Sequence, residues 1–163
     1  MSAEPHPAEQ GPCVVELKEA GPEAAELLSI LHHAAFEGRE PWDAAAFGQI
    51  LGMPGVVVWL ACVSQSEEAV PVGFIVSRHV VDEGEILSVG VHPQWQRRGI
   101  ARVLLAHLVG RASQIGETLF LEVRFSNRAA SSLYEQTGFW QVAVRPRYYE
   151  DGEDARLLKW SPR

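Results

Sequence analysis

The segment EILSVGVHPQWQRRGIARVLL, residues 85–105, constrains the fold more than any other part of the chain. Its first seven residues, 85–91, read as a buried strand that His92 and Pro93 bring to an end. From about Arg98 to Ile115 the pattern changes to helical spacing, with Ile100, Val103, Leu104, Leu108 and Ile115 on a recurring apolar face. The chain must therefore turn from a strand into a helix over a few residues, with Gly99 at the turn. A helix start presents N–H groups without intrahelical partners and a partial positive charge, so a glycine there lets an anion such as a phosphate approach the backbone. Arg97, Arg98 and Arg102 would add charge to such a cradle. The structural alternative is that Gly99 relieves crowding in the turn and the arginines are solvated surface.

The remaining elements follow from the same periodicities. Residues 13–18 read as a short strand, and 22–36 as a helix with Pro22 in its first turn. Asp43 is the expected N-cap of a second, short helix through about Leu51. Strands are expected at 56–64, 70–79 and 85–91, then the helix ending at Gly116, a strand at 118–123, a helix at 127–137 closed by Gly138, and strands at 140–145 and 156–160. The order β-α-α-β-β-β-α-β-α-β-β, without an internal repeat, predicts an α/β (α+β) domain: a mixed, mostly antiparallel sheet with helices on both faces.

Bulk properties narrow the function classes. A chain of 163 residues, 47% hydrophobic, fits one domain. It carries 14 basic and 21 acidic side chains, net −7, which disfavours nucleic-acid binding by phosphate neutralisation and mildly favours a basic partner. Cys13 and Cys62 are far apart and the six histidines are scattered, so neither a disulfide scaffold nor a metal site is implied, and a reducing cytoplasmic setting is expected. Residues 1–12, polar and rich in proline, read as a disordered leader, which leaves 13–163 as the folded domain. The longest apolar run, 56–63, is too short to span a membrane.

The stretch Gln96, Arg97, Arg98, Gly99, Ile100 and Ala101 resembles the acyl-CoA loop of the GCN5-related N-acetyltransferase (GNAT) superfamily. A second block supports the likeness: Leu121, Glu122, Val123 and Arg124 ahead of Ser126 and Asn127, then Leu133, Tyr134 and Glu135 before Gly138 and Phe139. Within the superfamily the chain is most similar to the ribosomal-protein-alanine N-acetyltransferases. That narrower likeness rests on the Glu40, Pro41, Trp42, Asp43 loop, on the 85–91 strand, and on RPRYY at 145–149 followed by DGEDA at 151–155. Ala101 stands where many relatives carry glycine, a tolerated variation.

The resemblance implies acetyl transfer from acetyl-CoA to an amine. The backbone of Arg98, Gly99, Ile100 and Ala101 would hold the pyrophosphate, with Gln96, Arg97 and Arg102 alongside. Val89, Gly90 and Val91 would pair with the pantetheine arm, one N–H polarising the thioester carbonyl; alternatively Gly90 is a kink or bulge. Asn127 would cap its helix, contact the cofactor, or do both. Strand alternation turns Glu122 away from Leu121 and Val123, and the resemblance makes it the base, with Glu85 as the competing candidate. Tyr134 would protonate the departing thiolate. Trp42, Glu85, Tyr148 and Tyr149 would line the acceptor side. The expected acceptor is a protein N-terminal α-amine, of a small-subunit ribosomal protein by the narrower likeness. The alternatives are acetylation of lysine side chains or small amines, and a non-catalytic acyl-CoA-binding module. No metal and no covalent enzyme intermediate are implied, and oligomeric state is not readable.

Overall fold

The computed structural model describes residues 14–37, 42–65 and 67–163; the expected leader 1–12, Cys13, and Glu40 and Pro41 of the helix-linking loop lie outside the described residues. Strand β1 (Val15–Ala20) is followed by a 3-10 turn (Pro22–Ala24) and helices α1 (Ala25–Ala35) and α2 (Ala44–Leu51). The meander β2 (Val56–Gln65), β3 (Glu68–Val80) and β4 (Glu83–Val91) leads through a 3-10 turn (Pro93–Trp95) into α3 (Ile100–Ile115). Then come β5 (Thr118–Arg124), α4 (Arg128–Gln136), β6 (Trp140–Arg145) and β7 (Ala155–Trp160). The expected order holds; both 3-10 turns begin at prolines, which fix φ and lack the N–H a longer helix would use.

Local chemistry sets the boundaries. The Asp43 carboxylate accepts from the Ala46 N–H at 2.8 Å and caps α2, and the Asn127 side-chain oxygen accepts from the Ala130 N–H at 3.2 Å and caps α4. Helix α3 begins after Gly99 and ends at Gly116, both left-handed, with φ of 78° and 75°.

The seven strands of the described residues form one sheet in the order β1-β2-β3-β4-β5-β7-β6. One face packs against α3 and α4 through Ile75, Leu104, Leu105, Leu108, Leu121 and Leu158; the other packs against α1 and α2 through Leu28, Leu31, Phe47, Phe74 and Val76. Cys62 is a buried packing residue of the second cluster. Among the described residues no helix is long and apolar enough to cross a membrane.

The site is created by how the sheet fails to close. Strands β4 and β5 are the parallel pair, and they pair only at Glu83 with Thr118, Gly84 with Leu119 and Glu85 with Phe120. The register of β4 against β3 shifts between Val76 paired with Ser88 and Ser77 paired with Ile86, so Leu87 is an extra residue. Such a bulge bends its strand. The kink considered for Gly90 therefore belongs to Leu87. Gly90 itself stays in register opposite Phe74, and a Cβ there would lie 2.8 Å from the Phe74 ring and 3.0 Å from the Ala35 Cβ. Its lack of a side chain lets β4, β3 and α1 pack together.

Candidate active site

Among the described residues the β4 edge beyond Glu85 has no strand partner on the β5 side, and the gap opens into a cleft of about 1120 Å³. One half of the cleft is bounded by Val89, Gly90 and Val91, by the 96–102 loop and helix start, and by Asn127, Ala130 and Leu133 of the α4 region. The first intrahelical bond of α3 is donated by Val103 N–H to the Gly99 carbonyl at 3.1 Å, so the N–H groups of Ile100, Ala101 and Arg102 precede the helical ladder. Among the described residues, its chain neighbours aside, nothing lies within 4 Å of where a Gly99 Cβ would sit. Arg97 also has positive φ, 62°, a conformation rare outside glycine, so two positions with positive φ lie within three residues of the helix start. Helix dipole, N–H groups that precede the helical ladder and open space at Gly99 fit a pyrophosphate; the β4 edge, left without a strand partner among the described residues, fits an extended arm bearing amides.

The side chains of this half divide into two kinds. Gln96 donates to the Val91 carbonyl at 3.0 Å, tying the loop back to the end of β4. Arg102 donates to the Gln136 side-chain oxygen, joining α3 to α4. Both also line the cleft, as do Arg97, Ile100 and Ala101. Arg98 does not: its guanidinium lies over the Trp95 ring, 4.7 Å from the centroid. Asn127 is both the α4 cap and a lining residue.

The other half is built from Trp42, Glu85, Glu122, Arg124, Tyr148 and Tyr149, with Tyr134 also lining the cleft. Tyr134 is 8% exposed, set edge-on to Phe139 at 6.0 Å, and burial, then the neighbouring Tyr149, pushes its hydroxyl up to a pKa of about 12. The Glu122 carboxylate accepts from Arg145 Nε at 3.0 Å and from the Tyr148 hydroxyl at 3.1 Å. Partial burial and the charge of Glu122 hold the Glu85 carboxyl above the usual carboxylate range. Burial, then Glu122, likewise pushes the Tyr148 phenol up. Trp42 stacks almost parallel on His32, 5.3 Å between centroids and 8° between planes.

Three participants in this half, His32, Arg124 and Arg145, are given no site role by the sequence. His32 shares a helical face with Leu28 and Leu31 at the spacing that marks a buried stripe, so its inward direction was readable. Arg124 follows Glu122 by two residues and shares its strand face, but its partners sit some thirty residues downstream. Arg145 is half exposed and opens the RPRYY stretch, but nothing in the sequence pairs it with Glu122. The arrangement has the parts for transferring an acyl group from a thioester: a backbone anion cradle, a strand edge, a carboxylate and a buried phenol around one cleft.

Comparison with known proteins agrees with that chemistry. The acetyltransferase (GNAT) family matches residues 24–139. An N-alpha-acetyltransferase, RimI, of Mycobacterium tuberculosis is 34% identical over 146 residues, covering 83% of this chain and 85% of that protein. A ribosomal protein bS18-alanine N-acetyltransferase of Escherichia coli (strain K12) is 43% identical over 89 residues, a match that spans 52% of this chain and 60% of the relative. The crystal structure of the ribosomal-protein-S18-alanine N-acetyltransferase from Escherichia coli superposes with a TM-score of 0.79 at 29% identity, covering 91% of this chain and 94% of that one.

Proposed function

Because the chain belongs to the acetyltransferase (GNAT) family, we propose that it moves an acetyl group from acetyl-CoA to the α-amine of a protein N-terminus, with a small-subunit ribosomal protein as the acceptor. The observation that carries this reading is the continuity of the cleft from the Gly99 helix start to the pair Glu122 and Tyr148. The names of the relatives support the choice of an N-terminal amine and of a ribosomal acceptor.

Bound acetyl-CoA supplies the acetyl group as an activated thioester. The turn at Gly99 and the first N–H groups of α3 hold its pyrophosphate, while Arg97 and Arg102 add positive charge. Val89, Gly90 and Val91 offer main-chain groups to the pantetheine arm, and a β4 N–H directed at the thioester oxygen stabilises the charge that grows there. Trp42, Tyr148 and Tyr149 give the acceptor peptide rigid walls.

An α-amine has a pKa of about 8, so at neutral pH most of it must lose a proton before it can attack. Glu122 takes that proton, directly or through water. Glu85 stands beside it, and its raised pKa favours a second carboxyl that holds a proton more readily. Tyr134, with its hydroxyl at a pKa of about 12, is fully protonated at neutral pH and always available as a donor. Complete transfer from such a phenol to a thiolate, whose conjugate acid has a pKa of about 8.5, is uphill. Its contribution is a hydrogen bond that strengthens as charge gathers on the departing sulfur.

Intact mass with fragmentation, on a peptide panel incubated with the protein and acetyl-CoA, tests the proposal. The expected product carries one acetyl on the α-amine of peptides bearing a ribosomal N-terminal sequence. Modification confined to lysine side chains, or no transfer to any peptide, would overturn it.

A further inference from the structure

The segment between β6 and β7, residues 146–154, carries both acceptor-side tyrosines and has almost no apolar anchorage. Residues 146–148 and 150–152 are exposed, and Tyr149 is half-buried. Polar ties hold the segment instead. Arg124, on β5, donates through one guanidinium nitrogen to Asp151 at 2.8 Å and to Glu153 at 3.0 Å. The same guanidinium lies over the Tyr149 ring, 3.9 Å from its centroid. The other Glu153 oxygen accepts from the Ser126 N–H at 2.7 Å, and the Phe125 N–H donates to the Asp154 carbonyl at 3.3 Å. Inside the segment Asp151 accepts from the Glu153 N–H and Asp154 from the Arg147 N–H, at 3.0 and 2.8 Å.

Most of these contacts converge on Arg124 and Glu153. Arg124 reaches Asp151, Glu153 and the tyrosine ring that lines the cleft, and Glu153 fastens the segment to the turn that opens α4. From this geometry we propose that Arg124 and Glu153 form a clamp that positions the 146–154 segment against the cleft, so that Arg124 is a positioning residue for the acceptor. It acts through Tyr149 and the segment backbone, and needs no contact with the reacting atoms. The inference rests on the proposed acetylation of a peptide N-terminus for its kinetic consequence, and on the contacts alone for its structural one.

Full-length Arg124→Gln, Glu153→Gln, the double variant and Arg124→Lys test it by two independent readouts. In hydrogen exchange, Arg124→Gln should speed exchange of the amides in 146–154 while leaving those of α3 unchanged. In steady-state kinetics the acceptor KM should rise by about tenfold, because small misplacements of a binding wall are costly, with acetyl-CoA affinity held within about twofold. The double variant should be little worse than Arg124→Gln alone, since the arginine change already breaks the contact with Glu153 and glutamine at 153 keeps an oxygen for the Ser126 N–H. Arg124→Lys, which keeps the charge but not the planar fork, should recover only part of the loss. Unchanged exchange in 146–154 would overturn the clamp, as would a fall in acetyl-CoA affinity that tracks the acceptor KM. Should the parent protein acetylate no N-terminus, the functional proposal fails, and the exchange measurement still decides the clamp.

Discussion

The two halves of the cleft are made from different material. The half proposed for the cofactor is main chain held by a core: the β4 edge, a helix start at Gly99, and α3 seated on the sheet by Ile100, Leu104, Leu105 and Leu108, each almost fully buried. The half proposed for the acceptor is side chains on an exposed segment, fixed by ion pairs and ring contacts to alternate residues of β5. Backbone geometry backed by a core is costly to distort and indifferent to which side chains decorate it. Surface polar ties are individually weak, so the acceptor half is the part that substitution can retune without loss of the fold.

The sharpest way to break the cofactor half is Gly99→Asp. Space for a side chain exists, since among the described residues, the chain neighbours aside, nothing lies within 4 Å of the Cβ position, and aspartate tolerates positive φ better than most residues. The chain should therefore fold. The added carboxylate meets the pyrophosphate, a like-charge contact that costs several kcal/mol, so acetyl-CoA affinity should fall by about 10³-fold in calorimetry. A folded variant that binds acetyl-CoA as the parent does would remove the cradle at Gly99. On the acceptor side the corresponding change is Glu122→Gln, with an expected loss of about 10²-fold or more in turnover at neutral pH. Raising the pH should restore part of it, because more of the amine is then already neutral. Glutamine keeps one oxygen to accept from Arg145 or Tyr148, but not a carboxylate for both. A concurrent rise in acceptor KM would measure how far Glu122 also holds the segment. Parent-like turnover at neutral pH would pass the base role to Glu85.

The same contrast explains what was legible in the sequence. Strand and helix periodicity, Asp43 and Asn127 as caps and Gly99 at the α3 start are local properties, readable within a few residues, and they define the cofactor half. The bulge at Leu87, by contrast, is a matter of register between strands: nothing in EILSVGV distinguishes a chain that stays paired from one that parts from β5 after Glu85. Glycine signals freedom, so a kink at Gly90 is one of two readings the sequence allows, whereas the structure uses Gly90 for clearance beneath Phe74. The acceptor half depends on contacts such as Arg124 with Glu153 and Glu122 with Tyr148, more than twenty residues apart in sequence. Individually those residues look like solvated charge, and only the pairing of β5 with β7 brings them together.

Tyr134 lies between the halves, and Tyr134→Phe sharpens the comparison because it removes an oxygen from a buried site without emptying it. If the hydroxyl stabilises charge on the departing sulfur, turnover should drop by about 10- to 10²-fold while acetyl-CoA affinity holds. Full activity would make Tyr134 a packing residue. Stability gives a second reading. Below pH 10 the phenol is protonated in folded and unfolded chains alike; from pH 10 toward about 12 the unfolded chain ionises it and the folded chain does not. The raised pKa thus costs stability as pH rises through that window, by about 2–3 kcal/mol in all at 1.36 kcal/mol per unit. Denaturant midpoints of the parent and the variant should diverge there in favour of Phe; parallel curves through pH 12 would mean the hydroxyl is not buried as described.

The smallest effect is expected where sequence and structure differ most within the cofactor half, at Arg98. Three arginines surround Gly99 in sequence, and by charge alone each would serve a phosphate equally. The structure separates them: Arg97 and Arg102 line the cleft, and Arg98 turns away to stack on Trp95. Exposed cation–π contacts are worth about 0.5–1 kcal/mol, so Arg98→Ala should lower stability by no more than that. Acetyl-CoA affinity should change by less than about threefold, since the guanidinium enters only as a screened charge outside the cleft. Arg97→Ala and Arg102→Ala, measured beside it, should each weaken binding more, and by an amount that shrinks as salt is added, as expected for cations facing a phosphate. An Arg98→Ala loss equal to theirs would mean that the cofactor draws Arg98 off Trp95, and that the cradle is finished by binding and not, as its backbone suggests, built beforehand.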